Sequence, residues 1–336
     1  MATLAAPIAV TLFSMAWLVY TNEVVGRTAP VNFWSVVFLA DGQRLATGAG
    51  VGNPNEQSQH GELAFWIAKS PVPKFVLRER AAVRSVASSP DGELVAIGEF
   101  DGTTKLVRSR DGKLIANFAS PGAVNSVAFS GDSQYIASGC LDGTILLWNI
   151  KTQQSVRFEV PDNAVLNMAI SPKGNLLAAG ARDGNAYLFD WQSPGSPRHL
   201  QAYEAGAGLE ANVETTAFSP DGTKLVTGTR RSIRLWDTTD GRKLADLRQE
   251  TGNIESIAFA PDGKILAAVD SSGTLALWDL STGQERSFTT AHGGISFSVA
   301  FSPNGGQIAT IGRDENSLKI WDAQSLTLQE TLRRKF

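Results

Sequence analysis

The chain holds a single cysteine, Cys140, among 336 residues. No intramolecular disulfide can form, and no Cys/His spacing offers a set of zinc ligands. Its three histidines, His60, His199 and His292, stand far apart in sequence, and His60 and His292 read as loop residues rather than ligands. Basic residues show no excess. Thirty Lys and Arg against 33 Asp and Glu leave a net charge of -3, little with which to neutralise a phosphate backbone, so no nucleic acid is expected as partner. No G-x-S-x-G nucleophile elbow occurs. The glycine run GAGVG (48–52) breaks at Asn53 and falls in a hairpin pattern, so no helix N-terminus would face a phosphate. Neither a catalytic set, a metal site nor a cofactor is expected.

Charge is also missing from the start of the chain, where no ionisable side chain precedes Glu23. Residues 1–22 could span about 33 Å as a helix, against a hydrocarbon core of about 30 Å. Trp17 and Tyr20 fall near one end, where interfacial aromatics are favoured. The expectation is a transmembrane helix over 1–22 and a polar tether over 23–30. It makes the protein membrane-associated, with lipid and a membrane complex among its partners. Arg27 alone tips the orientation toward the cytoplasmic side. Two rivals stay open: a cleaved signal peptide, and an apolar segment packed on the fold or on a partner subunit.

What the sequence has in quantity is glycine, 32 residues, and self-similarity. The segments SVASSPDGELVAIGEFDGTTKLV (85–107), SVAFSGDSQYIASGCLDGTILLW (126–148) and SIAFAPDGKILAAVDSSGTLALW (256–278) are copies of one module. Taking the Asp position of the Pro-Asp-Gly turn as a marker, the copies fall at Asp41, Asp91, Asp132, Lys173, Asp221, Asp262 and Asn304. A spacing near forty residues with four short apolar segments per unit predicts an all-β propeller over 31–336. Within each unit an alternating strand a (VxSVAFS) leads to b (LVAxG), c (GTxxLWD) and a plainer d. Asp-Gly at 101–102, 142–143 and 183–184 supplies the hairpin turn between b and c. Blade one carries a polar insertion at 51–60, and blade four ends in a long segment over 191–211. All seven sets of four strands can be drawn without residues 1–30.

These modules resemble the WD40-repeat family. Its most specific residues here are the pairs Trp236-Asp237, Trp278-Asp279 and Trp321-Asp322, with Trp148-Asn149 and Phe189-Asp190 as variants and Val107 in place of the pair in blade two. The SPDG style and scarcity of Gly-His resemble bacterial members. The resemblance implies a seven-bladed ring, buried Trp148, Trp236, Trp278 and Trp321, and a hydrogen-bond chain in which blade three contributes Ser138, Asp142 and Trp148. That chain should be truncated, because most blades lack the family's histidine before strand a.

Columns that repeat serve the blade, and columns that vary are free to serve a partner. The residue before the SVAF core is Trp34, Arg84, Asn125, Leu166, Glu214, Glu255 or Phe297. By the resemblance, this column rings the channel on the narrow face, with the b–c turn residues Phe100, Leu141, Arg182, Arg231, Ser271 and Arg313 beside it. Aromatic residues and arginine are enriched at protein–protein hot spots. The expected function is therefore a non-catalytic scaffold or accessory subunit that binds protein through Trp34, Arg84, Phe100, Asn125, Leu141, Arg182, Glu214, Arg231, Glu255, Phe297 and Arg313. The alternatives are a soluble module whose N-terminal segment packs on a partner, and an enzyme using the central pocket.

Overall fold

The computed structural model describes residues 32–51, 60–160, 163–193, 195–202, 212–313 and 317–333, with side chains left aside at 231 and 248–251. The expected anchor, with Trp17 and Tyr20, lies outside the described residues. Among those described, no helix is long and apolar enough to cross a membrane.

The fold is all-β and propeller-like, built of antiparallel meanders. The first sheet runs β1 (Asn32–Phe38), β2 (Arg44–Val51), β3 (His60–Ile67), β4 (Phe75–Glu79), and the second β5 (Val83–Ser88), β6 (Leu94–Glu99), β7 (Thr103–Arg108), β8 (Leu114–Ala119). A third holds β9 (Val124–Phe129), β10 (Tyr135–Cys140), β11 (Thr144–Asn149), β12 (Ser155–Glu159), and a fourth β13 (Val165–Ile170), β14 (Leu176–Ala181), β15 (Asn185–Asp190), β16 (Arg198–Gln201). A six-stranded sheet follows: β17 (Thr215–Phe218), β18 (Lys224–Asp237), β19 (Lys243–Phe259), β20 (Ile265–Asp270), β21 (Thr274–Asp279), β22 (Gln284–Thr290). The last sheet holds β23 (Ser296–Phe301), β24 (Gln307–Gly312), β25 (Ser317–Asp322) and β26 (Leu328–Arg333).

The six-stranded sheet departs from the expected hairpins for a physical reason. Blade five reads Thr229-Arg230-Arg231-Ser232 where its neighbours carry Asp183-Gly184 and Ser272-Gly273, so no glycine is present to take up positive φ. At the matching turns Gly102 and Gly143 sit at φ +87° and +88°. In blade five the chain instead stays in strand from Lys224 to Asp237 and absorbs the change of direction in a bulge between Arg230 and Ser232. Similarly, β19 faces β18 through Lys243–Arg248 and β20 through Ile254–Phe259.

The inner strands β1, β5, β9, β13, β17, β19 and β23 each touch the next, and β23 touches β1. A hydrogen-bonded girdle runs along this circuit. The side-chain oxygens of Ser35, Ser85, Ser126, Asn167, Thr215, Ser256 and Ser298 accept the backbone N–H of Val86, Val127, Met168, Thr216, Ile257, Val299 and Val36 respectively, at 2.9–3.3 Å. The recurring serine of SVAF is therefore an acceptor for the neighbouring strand, whose N–H would otherwise be buried unpaired. Apolar clusters fill the space between neighbouring sheets. Leu63 and Phe65 pack with Val83, Val86, Val95 and Ile97, while Phe33 and Trp66 pack with Ile311, Leu318, Ile320 and Leu332 across the seam between first and last sheets.

Strand c tryptophans are paired with strand b by polarity. The indole N–H of Trp66, Trp236 and Trp321 donates to Thr47, Thr227 and Thr310 at 2.8–3.0 Å. Where the strand c residue has no N–H to give, Val107 and Phe189, the corresponding strand b residues are the apolar Ile97 and Ala179. Trp148 donates to Ser138 at 3.4 Å, and Ser138 shares a second bond with Ser120 at 3.2 Å. Asp142 instead accepts the N–H of Thr144 within its turn. Trp278 pairs with Leu266, has Ala268 at the strand b position where other blades carry a hydroxyl, and is only 1% exposed and surrounded by apolar side chains.

His292 sharpens the sequence reading. It lies in the loop between β22 and β23, as expected, yet it is buried, 1% exposed, and its Nε2 lies 3.0 Å from the Thr310 hydroxyl that also receives Trp321. The last blade thus holds the family's His–Thr–Trp chain. The histidine escaped notice because it stands as Ala-His-Gly-Gly, without the Gly-His order that marks the family.

Candidate functional site

The ladders of the inner strands slip by one residue at a constant place. Register shifts fall between Phe33 and Ser35, Val83 and Ser85, Val165 and Asn167, Ile254 and Ser256, and Ser296 and Ser298, and the ladder likewise passes over Asn125. The residues skipped are Trp34, Arg84, Asn125, Leu166, Glu255 and Phe297. Glu214 stands in the equivalent place before β17 and donates its N–H to Gly228. A bulge leaves one residue unpaired and re-aims its side chain. The variable column seen in the sequence is therefore a ring of bulge residues at one end of the inner strands.

The b–c turns are fastened beside it. The backbone N–H of Phe100, Leu141, Ser271 and Arg313 donates to Ala82, Ala123, Asn253 and Ile295, each two residues before a bulge, at 2.9–3.1 Å. Phe100 is buried, Leu141 and Arg313 are half-buried, and Arg182 is exposed. The side chain of Arg231 lies outside the described set.

Five of the anchors form one cluster. The Arg84 guanidinium sits 4.1 Å from the Trp34 ring centre and 5.1 Å from that of Phe100, and the Trp34 and Phe297 rings are 4.9 Å apart. Nε and Nη2 of Arg84 both point to Asn125 Oδ1 at 3.4 Å, and Asn125 in turn donates to the Leu166 carbonyl. Glu214 and Glu255 complete the mouth, and Asn212 donates to Glu214 at 2.9 Å.

Burial governs the charges here. It lowers the Arg84 pKa to about 10, against the pull of Glu214 and Glu255. It raises Glu255 to about 8, with Glu214 and Asp270 pushing the same way and Arg84 opposing. Glu214 is raised as well, chiefly by burial, against the Asn212 hydrogen bond and the fields of Arg182 and Arg84. These groups are half-buried, open to the channel yet walled by protein. At neutral pH the mouth holds a cation, three aromatic rings and carboxyl groups drawn toward their neutral form. Among the described residues no group of His, Cys, Asp and Glu could hold a metal ion.

A separate polar cleft of about 450 Å³ lies at the opposite ends of the strands, lined by Asn175, Asp190, Ser196, Arg198 and Thr238. Asp190 there accepts the N–H groups of Gln192 and Ser193, and Arg198 donates to the Thr238 carbonyl at 3.0 Å. These polar groups are engaged within the chain, and none belongs to the bulge ring.

Meanders of four strands, Trp–Thr pairs and a buried His–Thr–Trp chain define a WD40-repeat β-propeller. The WD domain, G-beta repeat, matches residues 72–107 and 283–322. Residues 95–278, more than half the sequence, match the β-propeller family described as Nucleolar protein 10-like, N-terminal domain, and the chain belongs to that family. Among curated proteins it is similar to the U5 small nuclear ribonucleoprotein 40 kDa protein of Pongo abelii, 38% identical over 68 residues, covering 20% of this chain and 19% of that protein. The Homo sapiens protein of the same name is 37% identical over the same length and shares. The Intraflagellar transport protein 122 homolog of Xenopus tropicalis is 33% identical over 60 residues, 18% of this chain and 5% of that protein. The matched region thus spans about a fifth of the length of the U5 relatives.

These likenesses overturn several expectations. The family is named for a nucleolar protein and the U5 relatives for a ribonucleoprotein, so the exclusion of nucleic acid is withdrawn. Net charge bears on direct phosphate contact alone, and a chain at -3 can still sit in a particle that contains RNA. The membrane-complex partner, the membrane-anchored localisation and the bacterial character fall too: the U5 relatives are vertebrate proteins named for a nuclear particle, the matching family is named for a nucleolar protein, and no described helix is long and apolar enough to cross a membrane. An uncharged run of sufficient length is necessary for a membrane span but does not establish one.

Proposed function

We propose that the chain is a protein-interaction scaffold, a seven-bladed WD40 propeller over residues 31–336 that docks a protein partner on its bulge-ring mouth as a subunit of a ribonucleoprotein assembly. The observation that carries this reading is the ring itself. Seven blades present six kinds of side chain at one equivalent position, and Trp34, Phe100 and Asn125 converge on Arg84 with Phe297 behind Trp34. A repeat fold has no need of such variety for its own packing, whereas an aromatic and arginine cluster at the centre of a face is the composition of a hot spot. Counting the six-stranded sheet as two blades supports seven, since the inner-strand girdle has seven links. The function is binding rather than catalysis.

The test is a photo-cross-linking residue placed at Arg182 or Leu141, and, for comparison, at Thr239 on the other end of the blades. Cross-links to a defined protein from the first two positions and not the third support the reading. The reverse pattern would place the docking surface at the opposite end.

A further inference from the structure

Arg84 is an under-used cation. A guanidinium carries five N–H donors in a planar fork. Among the described residues only its Nε and Nη2 reach an acceptor, and they share one oxygen, Asn125 Oδ1, at the long distance of 3.4 Å. Among the described residues no carboxylate lies within ion-pairing distance of it, although nine such pairs occur elsewhere. Glu214 and Glu255 act on it only from further away. Trp34, whose ring it covers, has a buried indole N–H with no hydrogen-bond partner among the described residues. Buried polar groups are as a rule satisfied, and a cation left with spare donors in a walled channel is costly. The same side chain is pre-set: Trp34 and Phe100 fix the plane of its guanidinium, so little freedom is lost when a ligand arrives.

We infer that Arg84 receives a single carboxylate of the protein partner, from an Asp or Glu side chain flanked by an apolar residue that rests on Trp34 and Phe297. This rests on the docking reading above and names the chemistry of its anchor. A planar fork with an unused edge matches a carboxylate bidentately. A lone anionic group fits better than a nucleic-acid backbone, because the cluster offers one guanidinium, set between Trp34 and Phe100, and no row of cations to follow a run of phosphates.

Fluorescence anisotropy on the full chain tests this with three labelled probes: the octapeptide (Gly-Phe-Glu-Gly)2, its Gln counterpart, and octa-uridylate. The acidic peptide should bind about tenfold more tightly than the amide peptide, the usual yield of one charge-assisted pair. Arg84→Gln should erase that ratio, and Arg84→Lys, which keeps the charge but not the fork, should retain part of it with an unchanged melting temperature. Equal binding of the two peptides, binding of neither, or a preference that survives Arg84→Gln would overturn the inference. So would Arg84-dependent binding of octa-uridylate alone. Cross-links at Arg182 without an acid preference would leave the docking surface standing while removing the carboxylate from it.

Discussion

The guanidinium of Arg84 lies 4.1 Å above the ring of Trp34, two residues that are neighbours only because each occupies the bulge of its own inner strand. A cation held between rings but without an ion pair stabilises little and costs desolvation. Arg84→Met keeps the aliphatic stem and removes the charge, so the melting temperature should stay level or rise by a few degrees. A loss of more than about 2 kcal/mol in thermal or denaturant unfolding would show Arg84 to be a packing residue instead.

Glu255 makes stability depend on pH. Burial, with Glu214 and Asp270, raises its folded pKa to about 8, above the 4.5 of an exposed glutamate. The folded state therefore binds more protons than the unfolded one between those values. Stability is full below about 4.5 and is lost as pH rises through 8. Melting temperatures measured across that window should fall, and Glu255→Gln should flatten the profile and stabilise the protein at its alkaline end.

The chain joining His292, Thr310 and Trp321 should matter to the last blade. Thr310→Val keeps the volume but leaves the buried Trp321 indole and the His292 ring without their common partner. A cost of about 1–3 kcal/mol is expected in urea unfolding. Val107 and Phe189 show that a blade can do without the hydroxyl, and Trp278, with Ala268 at that position, shows that an indole can be held by packing alone.

Packing alone is tested at Trp278, which pairs with Leu266 and is 1% exposed. Trp278→Ala should destabilise by about 3–5 kcal/mol through the cavity it leaves. A value below about 1 kcal/mol would contradict its place between the sheets.

Much of this was legible in the residues. The forty-residue period, the Asp-Gly turns and the strand order follow from local chemistry that each repeat carries for itself. The variable column was legible as variation, but its cause was not: a bulge is set by how two strands pair, and no single strand shows it. The serine of SVAF reads as an ordinary alternating polar position, yet its partner is the N–H of the next blade. His292 was missed because its role depends on Thr310, 18 residues away. Arg231 reads as a turn residue by position, but without glycine its neighbourhood stays in strand. Trp34 and Phe297 meet across the seam of the ring, a contact that only closure creates.

The docking surface is tested most directly by the affinity of the cross-linked partner for two variants. One carries Arg84→Gln with Phe297→Ala in the bulge ring, and the other carries Arg198→Ala at the opposite end. The prediction is a loss of at least about tenfold in the first and no change in the second, with both proteins folded. Unchanged binding by the first variant, or loss confined to the second, would contradict the assignment of the bulge ring as the partner site.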